Sequence, residues 1–258
     1  MNDTTTSRLS SERLTPRATA NESITELGLG VYTLADAALL VQADRAAINR
    51  WLFGYRYSHR RNDKIARYRS AALWQPQYSD ERLPEKVIGF RDLLELRVVR
   101  EFVRRGVPLL VVRHCLEAAQ QLFGSDYPFT TRRFVTDGET IYLDAVRDAA
   151  ADSEILNLRT RQYAFREIIK DSLYAGIEYE DGFARRWYPV PRSRAIVIDP
   201  AVQFGHPMIE QQAVPTASIY ASYLAEGKQK AVVARLFELE PKQVDVAVRF
   251  EEKLRLAA

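Results

Sequence analysis

The sequence predicts a mainly α-helical protein with small β-hairpins, organised around two separate helix-turn-helix outlines. Three observations carry that expectation. Apolar residues recur at helical spacing behind capping signals between residues 33 and 53. Three more helical stretches follow one another after residue 215, punctuated by Pro215-Thr216, Gly227 and Pro241. Between them lie short β-prone runs broken by Asp-Gly pairs. The 258 residues suffice for one large domain or two or three small ones, and 47% hydrophobic with 28% charged residues is ordinary for a soluble globular chain.

Residues 1–28 are rich in Ser, Thr, Asn and Arg and nearly free of large apolar side chains, the composition of a disordered tail. Thr33 followed by Asp36 resembles a capping box, and Leu34, Ala37, Ala38 and Val41 give the first helix its apolar stripe. Asp44 is a good N-cap for a second helix whose inner face holds Ile48, Trp51 and Leu52. Residues 54–89 read as irregular and basic, with short β-prone pieces such as ARYRSAALW. Phe90 to Phe102 mark a third helix with Gly106 just past its end; Pro108 starts a fourth that closes near Gly124. A short hairpin is expected around Thr136-Asp137-Gly138, a charged helix over 151–172, and a hairpin turning at Asp181-Gly182. RAIVIDP reads as one further strand before the three C-terminal helices. Four segments result: a tail (1–28), a first unit (29–150), a connecting helix and hairpin (151–194) and a homeodomain-like three-helix unit (195–258).

Several function classes are disfavoured. No apolar run approaches the roughly 20 residues needed to span a bilayer, and the first residues lack the apolar core of a secretory signal. Cys115 is the only cysteine, sits in an apolar helical context and packs as a small hydrophobe, which fits a reducing cytoplasm. His59, His114 and His206 are scattered and make no metal-ligand spacing. Phosphate-loop, HExxH and triad signatures are absent, so no enzyme and no cofactor are expected. Asp199, before Pro200, reads as a turn residue rather than a catalytic acid.

The net charge of +3 says little, but its distribution separates the two helix-turn-helix outlines. Residues 45–69 hold eight basic residues against the single acid Asp63, a net +7. Residues 240–255 hold four of each sign and sum to zero. Each phosphate neutralised by Lys or Arg releases counterions, and that effect dominates non-specific affinity. The N-terminal unit is therefore the expected DNA-binding surface, and the C-terminal unit a dimerisation or protein-contact module. With Trp51 facing the core, Arg45, Asn49 and Arg50 lie on the outer face of the second helix, where arginine suits guanine and asparagine suits adenine. Arg56, Tyr57, Arg60, Arg61 and Lys64 follow where a wing would lie and suit phosphate contacts. The competing readings of this run are a solvated charged face and a membrane-surface helix; Gly54 and the helix-poor stretch after it disfavour the latter.

VYTLADAALLVQADRAAINRWL resembles the opening of a MerR-type winged helix-turn-helix domain, and LLELRVVREFVRRGVPLLVVRHCLEAA is similar to its later helices, together covering about residues 30–125. A sharper resemblance covers about 195–255. IDPAVQFGHPMI, VPTASIYASYLAEG and VVARLFELEPKQVDVAVRFEE resemble a small bacterial domain found in VapB-type antitoxins and their relatives, through Asp199-Pro200, Phe204-Gly205, Pro207, Pro215-Thr216, Glu226-Gly227, Val244, Ala247 and Phe250-Glu251. Members often carry Gly-Ile or Gly-Val before the Pro-Thr, where this chain has Ala213-Val214, so the local turn is expected to differ. Thr216 is expected to cap the helix it precedes.

The combination implies a type II antitoxin that binds its own promoter as double-stranded DNA and sequesters a protein toxin, commonly a PIN-type ribonuclease. The alternative is a stand-alone MerR-like regulator. A homodimer is expected, since dimeric helix-turn-helix proteins read paired half-sites.

Overall fold

The computed structural model describes residues 30–61, 64–78, 85–152, 174–190 and 192–256, with side chains described throughout except at 59–61, 64–66 and 149–152. It is mostly helical with small antiparallel sheets. The expected tail (1–28) and all but the first two residues of the expected 151–172 helix lie outside the described residues.

Strand β1 (Tyr32–Thr33) pairs antiparallel with a short strand much later in the chain, Val87–Ile88, in a register that sets Tyr32 opposite Ile88. Helix α1 (Leu34–Val41) starts from Thr33, whose hydroxyl accepts the Asp36 amide at 3.1 Å while the Asp36 carboxylate accepts the Thr33 amide at 3.0 Å. It closes on Gln42 in a left-handed conformation. Helix α2 (Arg45–Phe53) starts from Asp44, whose carboxylate accepts the Ala47 amide at 2.8 Å. Its inner face buries Ile48, Trp51 and Leu52, each worth about 1.5–3 kcal/mol of apolar transfer.

Gly54 ends α2 with φ +68, and a β-carbon there would collide with the Ser70 carbonyl oxygen. Only glycine lets the chain leave α2 directly into a hairpin of β2 (Tyr55–Arg61) and β3 (Lys64–Ser70). This hairpin replaces much of the irregular stretch expected after Gly54. The chain then buries Leu73 and Trp74. The Trp74 indole donates to Asp92 at 2.7 Å, and the other Asp92 oxygen accepts the Gln77 and Gly89 amides at 2.9 Å. Asp92 thus fastens the returning loop, including β4 (Val87–Ile88), to the first turn of α3 (Phe90–Arg104).

Helix α4 (Leu109–Phe123) follows, with Pro108 as its extended N-cap rather than its first helical residue, and ends at left-handed Gly124. Helix α5 (Arg132–Asp152) replaces the hairpin expected around Thr136-Asp137-Gly138. Phe134, Ile141, Tyr142, Ala145 and Val146 recur at helical spacing and are all buried, with Tyr142 stacked on Phe102 at 5.6 Å. Burial of that stripe outweighs the roughly 1 kcal/mol that Gly138 costs inside a helix.

Strands β5 (Ile177–Glu180) and β6 (Phe183–Trp187) form the expected hairpin, with Asp181 and Gly182 both at positive φ. Strands β7 (Ile196–Val197), β8 (Met208–Ile209) and β9 (Val214–Pro215) make a three-stranded antiparallel sheet. The chain ends in α6 (Thr216–Ala225), α7 (Lys230–Leu236) and α8 (Pro241–Leu256). Thr216 does not cap α6. It is the first helical residue, fully buried, and its hydroxyl reaches the Pro207 carbonyl and the Glu251 carboxylate, tying α6 to α8.

Two main cores result. The larger joins α1 to α5 and β6; the smaller joins β7, β8 and the last three helices, and Leu40 packs against both. The Tyr32 hydroxyl crosses between the two parts to donate to the Gly205 carbonyl at 2.8 Å, beside a Val31 to Phe204 backbone bond of 2.9 Å.

Candidate nucleic-acid interface

Helix α2 and the β2–β3 hairpin bring the basic run together as one continuous projection. At the base, the Leu73 amide donates to the Trp51 carbonyl at 2.7 Å. The Arg113 guanidinium of α4 donates to the Ala72 and Ala71 carbonyls at 2.8 and 2.9 Å. The base of the hairpin is therefore anchored to α2 and α4, while Tyr55 to Ser58 and Arg67 to Arg69 are exposed to solvent.

Register and alternation divide the hairpin into two faces. Tyr57 pairs with Tyr68 and Tyr55 with Ser70, so the tyrosines share one face; Tyr57 stacks on Tyr68 at 5.3 Å and lies 5.6 Å from Tyr55. Arg56 pairs with Arg69 and Ser58 with Arg67, so three exposed arginines share the opposite face. Like charges directly opposite each other weaken a two-stranded ribbon. No carboxylate among the described residues pairs with Arg56, Arg67 or Arg69. A hairpin that keeps such a pair uncompensated holds a surface suited to a polyanion.

The expected site residues fall as follows. Arg45 and Arg50 are exposed on α2. Asn49 is half-buried, and its side-chain oxygen accepts Lys86 Nζ at 2.9 Å. Lys86 also sits 4.3 Å over the Phe53 ring. Among the described residues, one lone pair of Asn49 and both its amide protons are left for another partner. Arg56 lies on the arginine face, but Tyr57 lies on the tyrosine face, away from it. Arg60, Arg61 and Lys64 occupy the far end of the hairpin, with Arg61 paired to Lys64 in the backbone ladder; their side chains are outside the described set.

Arg67, Arg69 and Lys86 join the candidate site from outside the set expected from the sequence. The first two lie inside the +7 segment, and only the strand register shows that they share a face with Arg56. Lys86 arrives from a segment well after α2, a placement no local pattern signals. The shallow groove beside α2 also carries Asp44 and Glu85 with Arg45 and Lys86, so its charge is mixed, whereas the hairpin face is purely basic.

Elsewhere, Asp199 accepts the Ala201 amide at 2.9 Å, as a turn residue does, and is held by Arg186 at 2.7 Å. His206 is exposed and Cys115 is buried, its thiol pushed up by desolvation. Among the described residues no cluster of His, Cys, Asp and Glu could hold a metal ion, and no helix is long and apolar enough to cross a membrane.

Known proteins resemble this chain in both its halves. Residues 196–250 match a family described as a protein of unknown function, DUF433. The chain is 26% identical over 215 residues to the putative antitoxin VapB45 of Mycobacterium tuberculosis, a match covering 78% of this chain and 86% of that protein. Its fold is similar to the crystal structure of Rv2018 from Mycobacterium tuberculosis, with a TM-score of 0.62 at 21% identity over 84% of this chain and 96% of the other.

Proposed function

We propose that this protein is the DNA-binding antitoxin of a type II toxin–antitoxin pair: a non-enzymatic, cytoplasmic homodimer that represses its own promoter and neutralises a protein toxin, of PIN-type ribonuclease chemistry. In this reading residues 29–150 are a MerR-like winged helix-turn-helix, with α2 as the recognition helix and the β2–β3 hairpin as the wing. Residues 195–258 form the antitoxin-type three-helix unit. Arg45, Asn49 and Arg50 address base edges in the major groove; Arg56, Arg67 and Arg69, with Arg60, Arg61 and Lys64, hold phosphates.

The observation that carries the DNA part is the uncompensated Arg56–Arg69 pair on a hairpin that leaves the C-terminus of α2. The toxin part is supported by the likeness to VapB45 across most of both chains.

Two measurements test the reading. Fluorescence anisotropy of the full-length chain on a duplex from its own promoter should give a steep salt dependence. Replacing Arg56, Arg67 and Arg69 by alanine should lower the slope of log K against log salt by about 2.7, at roughly 0.9 for each phosphate that is no longer neutralised. An unchanged slope removes the hairpin from the DNA site. Co-expression with the neighbouring reading frames should yield a near-stoichiometric small ribonuclease; recovery of the protein with DNA alone would make it a stand-alone regulator.

A further inference from the structure

A cavity of about 580 Å³ lies between the two parts of the molecule, within the usual size range of small-ligand sites and at the kind of seam where they occur. Its wall comes from the end of α1, from α3, from the segment after β6 and from α8. Leu40, Trp187 and Phe250 supply apolar surface. Arg97, Arg249 and Lys253 bring positive charge, Arg100 adds a fourth cation, and none of the described lining residues is acidic. Glu101 and Asp245 lie outside the wall: Glu101 pairs with Arg100 at 3.2 Å and also acts on Arg97, and Asp245 pairs with Arg249 at 2.8 Å. Lys253 is exposed at the rim and has no carboxylate partner among the described residues.

Arg97 is the telling group. Its guanidinium sits 4.1 Å over the Trp187 ring, a cation held against an aromatic wall. Burial pulls its pKa down to about 10, so it is still charged at neutral pH. A cavity with one aromatic wall, aliphatic sides and cations of a single sign complements a molecule that is apolar at one end and anionic at the other.

We infer that this inter-unit cavity binds a small amphipathic organic anion, of the class of aromatic or medium-chain carboxylates, with its apolar body between Leu40, Trp187 and Phe250 and its carboxylate toward Arg97, Arg249 and Lys253. The site is separate from the hairpin and does not depend on the antitoxin reading.

The test uses full-length protein and 2-naphthoate as the probe, with neutral 2-naphthamide as its uncharged counterpart, measured by isothermal titration calorimetry. The carboxylate should bind, and the amide should bind about tenfold or more weakly. Joint replacement of exposed Arg249 and Lys253 by alanine should weaken 2-naphthoate by about tenfold, equivalent to about 1.4 kcal/mol, while Arg235→Ala on α7 leaves it unchanged. A circular-dichroism melt matching the parent confirms that the double variant is folded. Should it melt early, Lys253→Gln alone is expected to keep the fold and still weaken the carboxylate. No binding of 2-naphthoate, equal binding of acid and amide, or indifference to the rim substitutions overturns the inference. So does competition by duplex DNA together with lowered DNA affinity of the rim variant, which would assign these cations to the nucleic-acid surface.

Discussion

Glu95 offers a quantitative test of how the larger core is built. It lies on α3 with no exposed surface. One carboxyl oxygen accepts the Thr130 amide at 2.9 Å and the Thr130 hydroxyl at 3.1 Å; the other is buried without a partner. Desolvation pushes its pKa up to about 8, opposed by the Thr130 hydrogen bonds and reinforced by Asp92. The folded protein therefore holds a proton that the unfolded chain, with an ordinary value near 4.5, releases. Between those two values the native state binds more protons, so stability falls as pH rises, and it levels off above the folded pKa. At about 1.36 kcal/mol per pH unit, raising the pH from about 5.5 to about 7.5 should cost roughly 2 kcal/mol through this group.

Glu95→Gln keeps the acceptor for Thr130 and removes the titration. Urea unfolding of both proteins at the two pH values should show the variant gaining on the parent by roughly 2 kcal/mol at the higher pH. Asp92, whose carboxyl is also raised by burial, titrates in both proteins and largely cancels in the comparison. If parent and variant lose stability in parallel as pH rises, the buried, half-satisfied carboxyl is not the origin of the pH dependence.

Two further predictions concern the chain's local geometry. Asp44→Ala removes the acceptor for the Ala47 amide and should lower stability by about 1 kcal/mol, read from thermal melts, with exchange at α2 amides rising first. Ala213 occupies the left-handed region at φ +53, where glycine is unstrained, so Ala213→Gly should raise the midpoint of chemical unfolding by an amount equivalent to about 1 kcal/mol; a lower midpoint would contradict the strain.

Local chemistry made much of this fold legible. The Thr33–Asp36 box, the Asp44 cap and the Asp181-Gly182 turn each act within a few residues, and each sits where its residue types indicate. The failures arise where distant packing overrules a local signal. Asp137-Gly138 has the form of a hairpin turn, yet the stripe from Phe134 to Val146 finds a core to fill and keeps the segment helical. Thr216 has the form of a cap, yet Glu251, 35 residues away, claims its hydroxyl. In the candidate site, charge density located the projection but not its two faces. The separation of Tyr57 from Arg56, and the meeting of Arg56 with Arg69, depend on a strand register that composition does not encode.

The Tyr32 to Gly205 bond joins residues 173 positions apart. During synthesis at about 5–20 residues per second, Tyr32 emerges roughly 10–30 s before the glycine that receives its hydroxyl. Before that glycine is made, the first strand's partner among the described residues is Val87–Ile88, once that segment exists, and the side of α1 that Leu40 presents to the smaller core is bare. The seam can close only after the segment that carries Gly205 has been made. The larger core waits in the same way for Trp187 and Ile198, so a partner that meets the N-terminal unit before then would meet a chain whose seam is open and whose Leu40 is uncovered.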